Sequence, residues 1–176
     1  RSGRDHLGLV APYTGWYILR ASIVATTLDV ATCTVSARYE RTSGGDVHEP
    51  DDGPEQAHFP GVGAGALTYH SFHRGTDEDW LRMYALDSRT YRFLVSEVGP
   101  NADPVVELYA GDGTTLLSTL NENGVGGNEQ LDFGSGTGVE LQESQWVYVR
   151  LTNARPDLFG SGAEYTASLV QTGSGA

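Results

Sequence analysis

From Leu67 onward the sequence alternates with a period of two, not the 3.6 of a helix. Tyr91, Phe93 and Val95 alternate with Arg92, Leu94 and Ser96. Val147, Val149 and Leu151 alternate with Trp146, Tyr148 and Arg150, and Tyr165, Ala167 and Leu169 with Glu164, Thr166 and Ser168. Such a pattern gives each segment one core face and one outer face as a strand, and no helix could bury it. Further strands are predicted over Leu67–His73, Trp80–Leu86, Val105–Ala110, Thr115–Leu120 and Val139–Gln142. Ala110-Gly111-Asp112-Gly113 reads as a hairpin turn, because its glycines tolerate positive φ. Only Gly53–His58 has room for a short helix. Gly-rich runs at Gly61–Gly65 and Gly134–Gly138 read as turns, since neither has the Lys and helix that phosphate cradling needs. Many short strands with turns between them make an all-β chain, an antiparallel β-sandwich.

The first 42 residues differ. Trp16–Val24 is apolar on both faces, and Leu28–Tyr39 is a second strand-like run. Two strands alone cannot bury such surface. Residues 1–42 are therefore expected to be an N-terminal two-strand extension or the remnant of an upstream domain. Residues 43–46 form a linker, 47–171 the sandwich, and 172–176 a flexible tail. The chain opens on Arg1 with no leader-like segment, so it is expected to be processed or excised from something longer. Packed against a second copy, Trp16, Tyr17, Ile18, Leu19 and Ile23 would complete a neighbour's sheet.

Charge narrows the partners. The chain carries 23 acidic and 11 basic residues, a formal net charge of −12. That excludes a phosphate-backbone binder, which needs clustered basic side chains. No apolar run is long enough for a membrane span. The single Cys33 sits in a strand-like run and reads as a small buried hydrophobe; alone it can form neither an internal disulfide nor a thiolate metal site.

Five short motifs follow in order: Glu49-Pro50-Asp51-Asp52, Asp77-Glu78-Asp79-Trp80, Leu108-Tyr109-Ala110-Gly111-Asp112-Gly113, Trp146-Val147-Tyr148-Val149-Arg150-Leu151 and Tyr165-Thr166-Ala167-Ser168-Leu169. In order and spacing they resemble the bacterial pre-peptidase C-terminal domain family over residues 47–171. The resemblance implies a jelly-roll-like sandwich, non-catalytic and secreted. It also implies, as in the collagen-binding domains of collagenases, a Ca²⁺ site drawn from both acidic clusters: here Glu49, Asp51, Asp52, Asp77 and Asp79. Calcium takes six to eight oxygen ligands, which such carboxylates supply. Without a cation, converging carboxylates repel and raise one another's pKa. One departure is Val47, where the family's calcium binders carry a further acidic residue. Turn capping is the plainer role for the same aspartates.

The histidines offer no ligand motif. His70 and His73, three apart on one expected strand, point to opposite faces and read as partly exposed polar residues; His6, His48 and His58 have no paired spacing. No nucleophile elbow is present, so no enzyme is expected. Trp146, Tyr148 and Arg150 line the outer face of one strand, a composition suited to recognition of a protein or polysaccharide, unless the N-terminal strands cover it. The expected function is a Ca²⁺-stabilised, extracellular, non-catalytic module of a secreted bacterial protein that binds a surface or spaces domains. The alternative is a self-assembling subunit of a filament or surface layer, its partners copies of itself.

Overall fold

The computed structural model describes residues 45–63 and 66–174, so the strand-completing residues Trp16, Tyr17, Ile18, Leu19 and Ile23, and His6, lie outside the described residues. Eight strands follow in order: β1 Leu67–Ser71, β2 Glu78–Ala85, β3 Arg89–Ser96, β4 Pro104–Tyr109, β5 Leu116–Leu120, β6 Glu129–Gly134, β7 Gln145–Asn153 and β8 Glu164–Ser174. They form two four-stranded sheets, β1-β8-β3-β6 and β2-β7-β4-β5, with every strand pairing antiparallel. This interleaved order is that of a jelly roll, in which successive strands pass between the two layers except at the β4–β5 hairpin.

The alternating segments explain the core. Met83, Phe93, Val95, Val106, Leu108, Phe133, Val147, Leu151 and Leu169 are each no more than 2% exposed and meet between the sheets. Their outer neighbours on β7, Trp146, Tyr148 and Arg150, stay at least partly accessible, as the alternation requires. The β4–β5 hairpin is closed by Ala110 N to Thr115 O at 2.9 Å. Asp112 Oδ1 accepts the backbone N–H groups of Thr114 and Thr115.

Three local expectations change. Val139–Gln142 is not a strand; its place in the sheet belongs to Glu129–Gly134, which pairs with β3. The segment Val139–Gln142 instead borders the turn after β6, with Gly134 N donating to Val139 O at 2.8 Å. Gly53–His58 makes a turn, not a helix, closed by Gln56 N to Gly53 O at 3.0 Å. β8 runs past Gln171, pairing Gly173 with Thr90 and Ser174 with Arg89.

Candidate metal centre

β1 and β2 are edge strands of opposite sheets, and residues 46–58 close the flank between them. The backbone of this segment is pinned to β2: Trp80 N donates to Asp51 O at 3.0 Å, His58 N to Trp80 O at 3.2 Å, and Arg82 N to His58 O at 2.8 Å. The segment thereby occupies hydrogen-bonding positions that an edge strand otherwise leaves open. It carries Asp46, Glu49 and Asp51 to the flank, while β2 contributes the core-facing Asp79. The β1–β2 connection adds Asp77.

Four of the five carboxylates expected from sequence gather there. Glu49, Asp51 and Asp79 offer oxygens within 4.8 Å of one another, and Glu49 and Asp77 do the same with His73. Asp52 points elsewhere, into an ion pair with Arg74 at the rim. Asp46, which the sequence reading passed over, joins the cluster; its Oδ1 accepts from His48 N at 2.9 Å and its Oδ2 from Ser71 N at 2.8 Å. Gly45, at φ 83°, holds the chain so that Glu49 folds back beneath it; a Cβ there would sit 2.3 Å from Glu49 Cγ.

The electrostatics are lopsided. Both oxygens of Asp51, Oδ1 of Asp77, Oδ1 of Asp79 and Oε1 of Glu49 are buried and accept no hydrogen bond. Buried polar atoms are ordinarily satisfied, and this concentration of exceptions gives the flank a donor set that could hold a cation. Burial, then the carboxylates of Asp77 and Asp51, push Glu49 up to about 8. Burial followed by Asp51 holds Asp79 well above the usual carboxylate range, and burial raises Asp77. Asp79 is fully buried, and its Oδ2 accepts from the Tyr165 hydroxyl across the sandwich.

The histidines depart most from the sequence reading. β1 ends at Ser71, so His73 lies beyond the alternation; its Nδ1 stands 2.9 Å from Glu49 Oε1 and 2.8 Å from Asp77 Oδ2. His70 is 1% exposed, not partly open, because its register opposite Tyr165 turns it into the sandwich. The ring of His48 stacks on His58 at 4.0 Å and on His70 at 4.9 Å, with His58 and His70 5.1 Å apart. Three rings, two from the segment 46–58 and one from β1, thus share one flank with the carboxylates. No spacing motif announces them, since the contacts are long-range.

On the outer face of the second sheet, Trp146 is 48% exposed and meets Tyr84 edge-on at 5.7 Å. Arg82 stands over the Trp146 ring, and Arg150 over Trp80 and Tyr109. Arg150 is fixed by Glu107, with Nε donating to Oε2 at 2.6 Å. The three predicted recognition residues, Trp146, Tyr148 and Arg150, therefore lie on a larger aromatic face with Trp80, Tyr84 and Tyr109.

Fold and flank together define an all-β jelly roll with a carboxylate–imidazole cluster capable of holding a metal ion. No protein-family model matches the chain, and neither does any curated protein. Among solved structures it is similar to the pre-peptidase C-terminal domain of a Bacillus anthracis collagenase, at 12% identity over 64% of this chain and 93% of that one, with a TM-score of 0.44. It is also similar to PliG of Aeromonas hydrophila, a periplasmic inhibitor of g-type lysozyme, at 9% identity over 58% and 82% of the two chains and a TM-score of 0.32. A third is the Streptococcus pneumoniae fucose-binding module SpX-3, at 10% identity over 77% and 93% and a TM-score of 0.34. No helix among the described residues is long and apolar enough to cross a membrane.

Proposed function

We propose that this chain is a non-catalytic, extracellular module of a secreted bacterial protein, clamped by Ca²⁺, that binds a protein or polysaccharide surface or spaces neighbouring domains. The observation that carries this reading is the set of buried carboxylate oxygens on Glu49, Asp51, Asp77 and Asp79 that accept no hydrogen bond. A hard cation with oxygen ligands suits these four groups, five of whose oxygens are buried without a hydrogen bond. Its binding would tie residues 46–58 to β2 and the β1–β2 connection, fastening the flank of the sandwich. Trp146, Tyr148 and Arg150 are the surface proposed to meet the partner, flat aromatic area held by a fixed guanidinium.

The test has two arms on the intact chain. Calorimetric titration with CaCl₂ after EDTA treatment should give saturable binding, lost in Glu49→Gln. Retention on insoluble protein fibres and polysaccharides should fall in Trp146→Ala while thermal stability stays unchanged. Absence of calcium binding up to millimolar concentration refutes the clamp. Retention equal for wild type and Trp146→Ala refutes the surface.

A further inference from the structure

The imidazoles on this flank are poor partners for calcium and good ones for zinc-class ions. His70 carries the inference. Its Nε2 lies 3.0 Å from Thr68 Oγ1, and the Thr68 hydroxyl donates to Ala167 O at 3.4 Å. The Thr68 oxygen is thereby an acceptor, so Nε2 of the neutral ring carries the hydrogen and Nδ1 presents a lone pair. That lone pair faces carboxylate oxygens: Asp79 Oδ1 at 3.7 Å and Asp46 Oδ2 at 3.9 Å. Nδ1 is buried and makes no hydrogen bond. At these distances the atoms are too far apart to hydrogen-bond to one another, while an ion between them would engage all three. Ligand atoms about a tetrahedral zinc ion are roughly 3.3 Å apart, from metal–ligand distances of about 2.0–2.2 Å, so the two imidazole–carboxylate distances need to shorten by only about half an ångström.

We propose that the chain holds a second, transition-metal site in which His70 Nδ1, Asp46 and Asp79 bind a divalent ion of the zinc class, with His48 or His58 as a further ligand. The stacked rings specify how that ligand arrives. Imidazole lone pairs lie in the ring plane, so one ion cannot sit in the planes of two parallel rings 4.0 Å apart. One of the two half-buried rings must swing to the ion while His70 stays fixed by Thr68. That hydrogen bond is the outer-shell support typical of metal-bound histidine. The site goes beyond the calcium reading, because its discriminating donors are nitrogens; Asp79 is the group common to both.

The experiment uses the intact, tag-free chain, stripped with EDTA and titrated with Co²⁺ in excess Ca²⁺, reading visible d–d absorption, then back-titrated with Zn²⁺. One equivalent of Co²⁺ should give a band that Zn²⁺ abolishes and Ca²⁺ does not. His70→Gln should remove the band, and His48→Ala combined with His58→Ala should weaken binding at least tenfold. Thr68→Val leaves every ligand in place and should weaken binding by roughly ten- to a hundredfold. It serves as the decisive variant if His70→Gln does not fold. Glu49→Gln should lose calcium and keep cobalt, so failure of either site shows separately. No band, or a band unchanged by Thr68→Val and by the double histidine variant, overturns the proposal.

Discussion

Asp79→Asn should be more stable than wild type without metal and less stable than wild type with calcium. Asp79 is fully buried, and its carboxylate lies within 4.8 Å of oxygens of Glu49 and Asp51. At that separation two charges repel by about 3.5 kcal/mol for an effective dielectric of about 20. The metal-free protein relieves part of this by holding a proton on the cluster, so removing one charge should gain only about 1–2 kcal/mol. An amide keeps an oxygen to accept from Tyr165, and its NH₂ can donate to the carboxylate of Asp51, whose Oδ2 stands 3.3 Å from His58 Nδ1. For a domain of this size the gain corresponds to a melting temperature roughly 4–8 °C higher in EDTA. Calcium at a hundred times its Kd stabilises a binding protein by about 2.7 kcal/mol, and the variant should lose most of that. Differential scanning calorimetry in EDTA and in CaCl₂ should therefore show the variant above wild type in the first and below it in the second. A variant that melts below wild type in EDTA, or gains equally from calcium, refutes the electrostatic account of this flank.

Glu129 is buried, and its carboxylate accepts from Glu122 N and Asn123 N, the latter at 2.7 Å; Glu129→Ala should cost about 2–3 kcal/mol in urea unfolding by stranding those donors. Gly134 has φ 95°, and a Cβ there would lie 2.2 Å from Arg89 O, so Gly134→Ala should lower stability by at least about 1–3 kcal/mol, read by the same unfolding curves. In EDTA, stability should fall between pH 7 and 8. In that window Glu49, raised to about 8 by burial and its neighbours, still binds a proton when folded and none when unfolded. Burial lowers His48 and His70, which act in the opposite direction, but only near and below their unfolded value of 6.5. Urea midpoints at pH 7 and pH 8, with and without calcium, check the sign; calcium should flatten the slope.

The sequence by itself determined the layered β fold, because alternation with period two assigns faces strand by strand. Phe93, Val149 and Leu169 enter the core as their spacing requires. It also set Glu49, Asp51, Asp77 and Asp79 in two short acidic clusters, which the fold brings together. Where alternation is weak it misled: Val139 and Leu141 look like a strand, while Glu129–Gly134 takes the place beside β3 through its pairing with that strand. The imidazole half of the candidate metal centre was decided by tertiary structure alone. His48 and His58 come from the segment pinned to β2, and His70 from the edge of the opposite sheet. Which way a side chain points is local and repeats every two residues. Which side chains meet across a sandwich depends on strand order and register between distant segments, and no short-range spacing encodes that.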